Sequence, residues 1–229
     1  MFDNFGQKFI NAFIDNGGYK LMIDGLWITL QIALSALIIG IVVGTMFAIM
    51  KVIPVRGIFS RILHIIADVY ITVIRGTPVV VQLLLVYYGI LSPLRVPAMI
   101  VAILVFGLNS SAYVAEIIRG GINAVDRGQM EAGRSLGLSY GSTMQQIILP
   151  QAVKNILPAL GNEFIVLIKE TSVAGFITLI DLTRAAQNIV NDVYEAFIPY
   201  LMLAAMYLVL VMIATFLVNS LERWMRRSD

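Results

Sequence analysis

Residues Gly25 to Met50 contain no charged side chain, and neither do residues Ala196 to Leu221. At about 1.5 Å per helical residue each stretch reaches roughly 39 Å, more than the roughly 30 Å of a bilayer's hydrocarbon core. Lipid offers no partner to a backbone N–H or C=O, so the segments can cross only as helices that pair these groups internally. Apolar residues make up 59% of the chain and charged residues 13%, which excludes an ordinary soluble domain. The formal net charge of +2 gives no reason to expect nucleic acid as a partner. Cysteine is absent, which excludes disulfides and thiolate metal sites within the chain.

Five membrane-spanning helices are expected. Span one is Gly25 to Met50. Span two starts near Ile62 and runs to about Leu91, interrupted at Arg75-Gly76-Thr77-Pro78, where Pro78 has no N–H to give and its ring opposes the carbonyl of Ile74. Span three runs from about Ala98 to Ile118, with Asn109, Tyr113 and Glu116 at helical spacing on one face. Span four, about Lys154 to Thr171, is partly polar, and span five is Ala196 to Leu221. Between the last two, Thr178 to Pro199 reads as an outer segment with a short helix.

The basic residues set the orientation. Lys51, Arg56, Arg61, Arg119, Arg127, Arg134, Lys154, Arg223, Arg226 and Arg227 fall on one side of this layout, against Lys8, Lys20, Arg95 and Arg184 on the other. The richer side is cytoplasmic by the positive-inside rule, which puts the amino terminus outside and the carboxyl terminus in the cytoplasm. Before span one, Phe2, Phe5, Phe9 and Phe13 recur at helical spacing. They predict an amphipathic helix over residues 1–20 that lies in the membrane interface or packs on neighbouring spans, ended by Gly17-Gly18. Residues 21–229 then form a single transmembrane domain. The start carries none of the marks of a cleaved secretory signal.

Between spans three and four, about residues 120–153, lies Glu131 to Pro150, EAGRSLGLSYGSTMQQIILP. It reads as two short helices joined at Gly137, a residue suited to a left-handed turn. Asp126 with Gln129 suggests a capping box for the first helix; Ser139 caps the second and Pro150 stops it. Met144, Ile147 and Ile148 give the second helix one apolar face.

This stretch closely resembles the cytoplasmic loop of importer-type ABC transporter permeases, whose pattern is Glu-Ala-Ala, three residues, Gly, nine residues, Ile, one residue, Leu-Pro. Glu131, Ala132, Gly137, Ile147, Leu149 and Pro150 match it, and Gly133 departs, replacing the second Ala. The resemblance implies an all-α, type I importer permease whose loop docks on a separate ATPase subunit. That agrees with the lack of a G-x-x-x-x-G-K-[ST] phosphate loop here: ATP and Mg would be held by the partner ATPase, and this chain would have no catalytic residues, no metal site and no cofactor of its own.

Further motifs sharpen the resemblance. Arg75-Gly76-Thr77-Pro78, Asn109 to Glu116, Asn162-Glu163-Phe164 and Lys169-Glu170-Thr171-Ser172 are similar to the polar amino acid permease branch, over about Gly25 to Arg227. In that branch two permease subunits pair, two ATPases bind below, and an extracytoplasmic amino-acid-binding protein delivers substrate. A bacterial cytoplasmic membrane is implied. The second permease could be another copy or a related chain, and the binding protein free, lipid-anchored or fused.

Charges at membrane depth are expensive and mark candidate substrate contacts. Arg75 with Gln82, and Glu163 with Glu170, each return to one helical face after seven residues. Arg75 suits an amino acid's carboxylate and Glu163 its ammonium; the alternative is that both serve as structural ion pairs. Glu170 beside Glu163 favours a basic amino acid, with glutamine or another polar amino acid as runner-up. His64 lies beside Asp68, where packing or a local hydrogen bond is expected. An ion-coupled secondary carrier is disfavoured by the odd span count and the missing inverted repeat, and a membrane enzyme by the lack of any catalytic cluster.

Overall fold

The computed structural model describes residues 4–55 and 57–226. Phe2 of the amino-terminal pattern, and Arg56 and Arg227 of the charge count, lie outside the described residues. Every element within them is helical. In chain order these are α1 (Phe5–Phe9), α2 (Gly18–Val52), α3 (Ile58–Gly76), α4 (Val79–Leu84), α5 (Ala98–Asn123), α6 (Arg127–Ser135), α7 (Tyr140–Thr143), α8 (Leu149–Glu170), α9 (Leu182–Val193) and α10 (Phe197–Arg226). Wider π turns follow α1, α4 and α7, at Ile10–Asp15, Leu85–Ile90 and Met144–Ile148, and a 3-10 segment, Thr171–Ile177, follows α8.

Helices α2, α5 and α10 are each long and apolar enough to cross a bilayer, and α3 with Val79–Ile90 passes the same test as a pair bent by 102°. The bend sits where Pro78 requires it. Pro78 is extended (φ −62°, ψ 135°) and caps α4 through its carbonyl, which accepts from the N–H groups of Val81 and Gln82. Helix α8 holds Lys154, Glu163, Lys169 and Glu170, so it is less apolar than the others.

The chain divides into two compact units. One comprises Met1–Ala36, Thr77–Gly107 and Ile165–Ile213. Its core joins Ala12, Phe13 and Met22 to Leu182, Ala185, Ala186, Ile189 and Ile198. The amino-terminal segment therefore packs through Ala12 and Phe13 on α9, while Phe5 is exposed. Gly17 takes the left-handed turn (φ +68°), but Gly18 opens α2 instead of ending the preceding helix. The other unit comprises Leu37–Gly76, Leu108–Phe164 and Ala214–Asp229. There Phe47, Ala67, Ile71, Ala112 and Ala115 pack α2, α3 and α5 together, and Phe47 stacks on Tyr70 with ring centroids 4.1 Å apart. Tyr70 Oη donates to the carbonyl of Leu108 at 2.9 Å.

At Gly40 and Gly44, four residues apart on α2, α5 comes unusually near. A Cβ on Gly44 would lie 2.7 Å from both the Ser111 carbonyl oxygen and Val114 Cβ, so only glycine lets α5 come this near.

Neighbouring glycines on α5 give an opposed pair of outcomes. Gly120 faces open space, whereas a Cβ on Gly121 would run into the Ile156 side chain. Gly120→Ala should stabilise by roughly 0.5–1 kcal/mol through helix propensity, and Gly121→Ala should cost about 1–3 kcal/mol by overpacking. Thermal unfolding of the detergent-solubilised chain measures both, and equal shifts would contradict this packing.

Candidate functional site

Helix α6 opens at Asp126, whose side chain accepts from Gly128 N–H at 2.7 Å. The cap thus closes on the second helical residue, and the reciprocal box with Gln129 is not used. At the other end Gly137 sits at φ +86°, Leu138 N–H donates to the Gly133 carbonyl at 3.2 Å, and Gly137 N–H donates to that of Arg134 at 3.1 Å. Those two bonds make a Schellman turn, which only a residue tolerant of the left-handed region enters without strain. Arg134 Nη1 tightens it by donating to the Leu138 carbonyl at 2.7 Å. Ser139 then caps α7, accepting from Ser142 N–H at 3.1 Å.

Pro150 does not end the second helix. The chain passes from α7 through the π turn Met144–Ile148 directly into α8, which holds Pro150 in its first turn. A wide turn ahead of the ring relieves the clash that a regular helix would impose, and Gln151 Nε2 donates to the Ile147 carbonyl at 2.8 Å. Helix α8 accordingly begins at Leu149, before Lys154, where span four was expected to start.

The loop's apolar face is turned inward. Ile148 is buried with Val125, Ala152 and Ile156, and Met130, Met144 and Ile147 pack beside them. Gly133, the departure from the loop pattern, is buried where a Cβ would stand 2.5 Å from Thr143 Cγ2 and 3.1 Å from Ile147 Cδ1. An alanine here would need Thr143 to move, so glycine and threonine match each other. Glu131, Ala132 and Leu149 are exposed, and Leu136, at the tip, is 82% exposed.

Of the intramembrane candidates, Arg75 and Glu163 fall in one unit and Gln82 and Glu170 in the other. Arg75 and Glu163 do not pair. Glu163 is 6% exposed and accepts from Ser110 Oγ at 2.7 Å, a helix-packing contact of α8 with α5. Arg75 is exposed, with its guanidinium carbon 5.2 Å from the centroid of the Tyr113 ring, and it attracts Glu116 electrostatically. Glu116 itself is bound by Arg119 at 2.6 Å. Gln82 Nε2 donates to Thr77 Oγ1 at 2.8 Å and to the Thr77 carbonyl at 3.1 Å, so it supports the Pro78 break. Glu170 is half-buried at the end of α8. His64 Nε2 lies 2.9 Å from the carbonyl of Ile53, while Asp68 pairs with Lys51 on α2; the local bond expected of His64 exists, with a different partner.

Sequence reasoning passed over a polar cavity of about 470 Å³ in the first unit, formed where Thr171–Ile177 meets α9 and lined among others by Tyr88, Phe176, Thr178, Thr183, Arg184 and Gln187. Tyr88 Oη donates to the Phe176 carbonyl at 3.3 Å, and Tyr87 Oη is 3.4 Å from Thr178 Oγ1. Asp181, fully buried, caps α9 by accepting from Thr183 and Arg184 N–H groups at 3.0 and 3.3 Å. Burial pushes its carboxyl above the usual range, opposed by those two backbone bonds.

Known proteins are similar to this chain in sequence and fold. Residues 40–227 match the family of binding-protein-dependent transport system inner membrane components. The arginine transport system permease protein ArtQ of Bacillus subtilis is 40% identical over 210 residues, covering 91% of this chain and 94% of that protein. The glutamine transport system permease protein GlnP of Escherichia coli is 36% identical over 209 residues, covering 90% and 93%. A crystal structure of an amino acid ABC transporter with histidines superposes with a TM-score of 0.84 at 45% identity, over 92% of this chain and 97% of that one. With its apolar helices, its broken α3–α4 segment and a match over most of its length, the chain belongs to the family of binding-protein-dependent transport system inner membrane components.

Proposed function

We propose that this chain is the membrane-spanning subunit of an ATP-driven importer of polar amino acids, working in a bacterial cytoplasmic membrane. The observation that carries the ATPase-driven part is the α6–Gly137–α7 turn. It holds Glu131, Ala132 and Leu136 exposed on a short helix whose opposite side, through Met130 and Gly133, is packed into its own chain. A surface fixed in this way can be pushed as a rigid body, which is what transmitting force from an ATPase requires. The relatives that transport arginine and glutamine, and the solved amino acid transporter, support the substrate class.

In this reading α2, α3 with α4, α5, α8 and α10 are five spans, with the amino terminus outside and the loop in the cytoplasm. Two such permeases, alike or related, pair over two ATPases, which bind the ATP and Mg, and an extracytoplasmic binding protein supplies the amino acid. The long exposed apolar face of α10, including Leu208, Met212, Phe216 and Leu217, is suited to lipid or to the second permease. Arg75, exposed on the Tyr113 ring, is a contact for substrate during passage. Gln82 and Glu170 flank the break and the end of α8, and Glu163 acts chiefly in holding α8 on α5.

Leu136→Asp should leave insertion and folding intact, since this side chain touches little, yet cut substrate-stimulated ATP hydrolysis by about tenfold or more through a charge set in the docking surface. Gly137→Leu should do the same by forcing a side chain into the left-handed region, at a cost of about 1–2 kcal/mol. Reconstituted vesicles with the partner ATPase provide the assay, and unimpaired coupling in both variants would contradict the docking role.

The two intramembrane charges should separate. Arg75→Ala should lower ATP-driven uptake of labelled arginine or glutamine about tenfold with assembly unchanged. Glu163→Gln keeps an acceptor for Ser110 Oγ, so uptake should stay within about threefold of the parent. Loss of assembly in Arg75→Ala would make that residue structural.

A further inference from the structure

The cavity between Thr171–Ile177 and α9 combines a cation, an aromatic wall and several hydroxyl groups. Arg184 is exposed, and its Nη1 donates to Gln187 Oε1 at 3.2 Å. No carboxylate among the described residues pairs with its guanidinium. The nearest acid in sequence, Asp181, also lines the cavity, but it is fully buried and its oxygens accept from backbone N–H groups. Gln187 steadies the guanidinium without neutralising it, leaving donors of a planar fork for another acceptor.

The walls are built for close approach. Gly175 lies where a Cβ would be 3.0 Å from both Arg184 Cβ and Asp181 Oδ1, so the 3-10 segment lies hard against the start of α9. Thr178, a β-branched residue, is held at φ +72° on the cavity's edge, a conformation that persists only where surrounding contacts impose it. Tyr88 and Phe176, 55% and 60% exposed, line the same cavity as Arg184. A volume of about 470 Å³ accommodates one small polar solute.

We propose that this cavity is a receiving site for the transported amino acid, with Arg184 binding its α-carboxylate and Tyr88 and Phe176 contacting its side chain. The assignment rests on the amino acid importer reading and adds a contact separate from Arg75. The cation specifies a carboxylate, and the forked geometry binds both of its oxygens. The Thr178 hydroxyl and the Ser172 side chain supply acceptors for an ammonium group, while the Thr183 hydroxyl is held 3.2 Å from Tyr207 Oη. Flat aromatic faces serve a guanidinium or an amide side chain alike, through cation–π contact or stacking.

The test uses the chain purified with its ATPase in lipid nanodiscs and measures equilibrium binding of arginine and glutamine. Each is compared with its counterpart lacking the α-carboxylate, agmatine and 4-aminobutanamide. The parent should prefer at least one amino acid over its counterpart by about tenfold or more. Arg184→Gln should weaken that amino acid about tenfold and leave the counterpart unchanged, and Arg184→Lys should restore part of the loss. Equal weakening of both ligands, no weakening of either, or loss of the preference in Arg75→Gln instead would overturn the proposal. Failure of the parent to bind either amino acid while the ATPase co-purifies would overturn this site but not the coupling role; absence of any ATPase would overturn the importer reading itself.

Discussion

Hydrocarbon cannot hydrogen-bond, and that single constraint governs where this chain can depart from helix. Each unpaired backbone group in lipid costs several kcal/mol, so every interruption must bring its own partners. At Pro78 the proline carbonyl accepts from Val81 and Gln82, and the Gln82 side chain returns to Thr77. Where α8 gives way to the 3-10 segment, Thr171 Oγ1 donates to the Ile168 carbonyl at 2.8 Å, and at the start of α9 Asp181 and Thr29 cap the N–H groups of Thr183, Arg184 and Leu182. No buried side-chain nitrogen or oxygen is left without a partner among the described residues. The interruptions are thereby fixed in place, and the residues with potential function gather at them.

The same economy of partners separates structural from functional charge. Glu163 has a hydroxyl at 2.7 Å and almost no exposure, so it is committed to packing. Lys51 with Asp68, and Arg119 with Glu116, satisfy one another. Arg75 and Arg184 differ in having no ion-pair partner within their units, one resting on an aromatic ring and the other on an amide. Arg75 is left with the attraction of a Glu116 that Arg119 already binds, and Arg184 pairs with no carboxylate among the described residues, so each is suited to a ligand that brings a negative charge.

The two longest apolar helices were legible because absence of charge is a strong signal over a long stretch: Gly25 to Met50 lies within α2, and Ala196 to Leu221 lies within α10 but for Ala196, which precedes it. Their ends were less so, since hydropathy does not register the polar turns that extend a helix past the lipid. Gly137 and Ser139 announced their turn and cap because each residue type has few other uses. Pro150 misled for the converse reason: proline marks a helix end only in a regular helix, and the π turn before it leaves no trace in composition. Arg75 and Glu163 were singled out as charges at membrane depth, and helical spacing joined Gln82 to the one and Glu170 to the other, but depth and spacing fix a face and not a partner. Ser110 and Tyr113, which receive them, are set by how α5 packs on its neighbours. Arg184 stood in a segment assigned to the outside, where an arginine attracts no notice until the cavity around it is seen.

The exposed side of α6 is, in the function proposed above, the surface on which the ATPase acts. Because the chain has no cysteine of its own, a single cysteine placed at Ala132 reports without background, and a second at Asp15 on the amino-terminal segment serves as control. Each is reacted, in membranes holding the assembled transporter, with a short photoactivatable thiol crosslinker, and the products are identified by mass. The account predicts an adduct between position 132 and the ATPase whose yield changes when ATP is bound, and none from position 15. An adduct from position 15 with none from position 132, or no ATPase adduct from either, would contradict it.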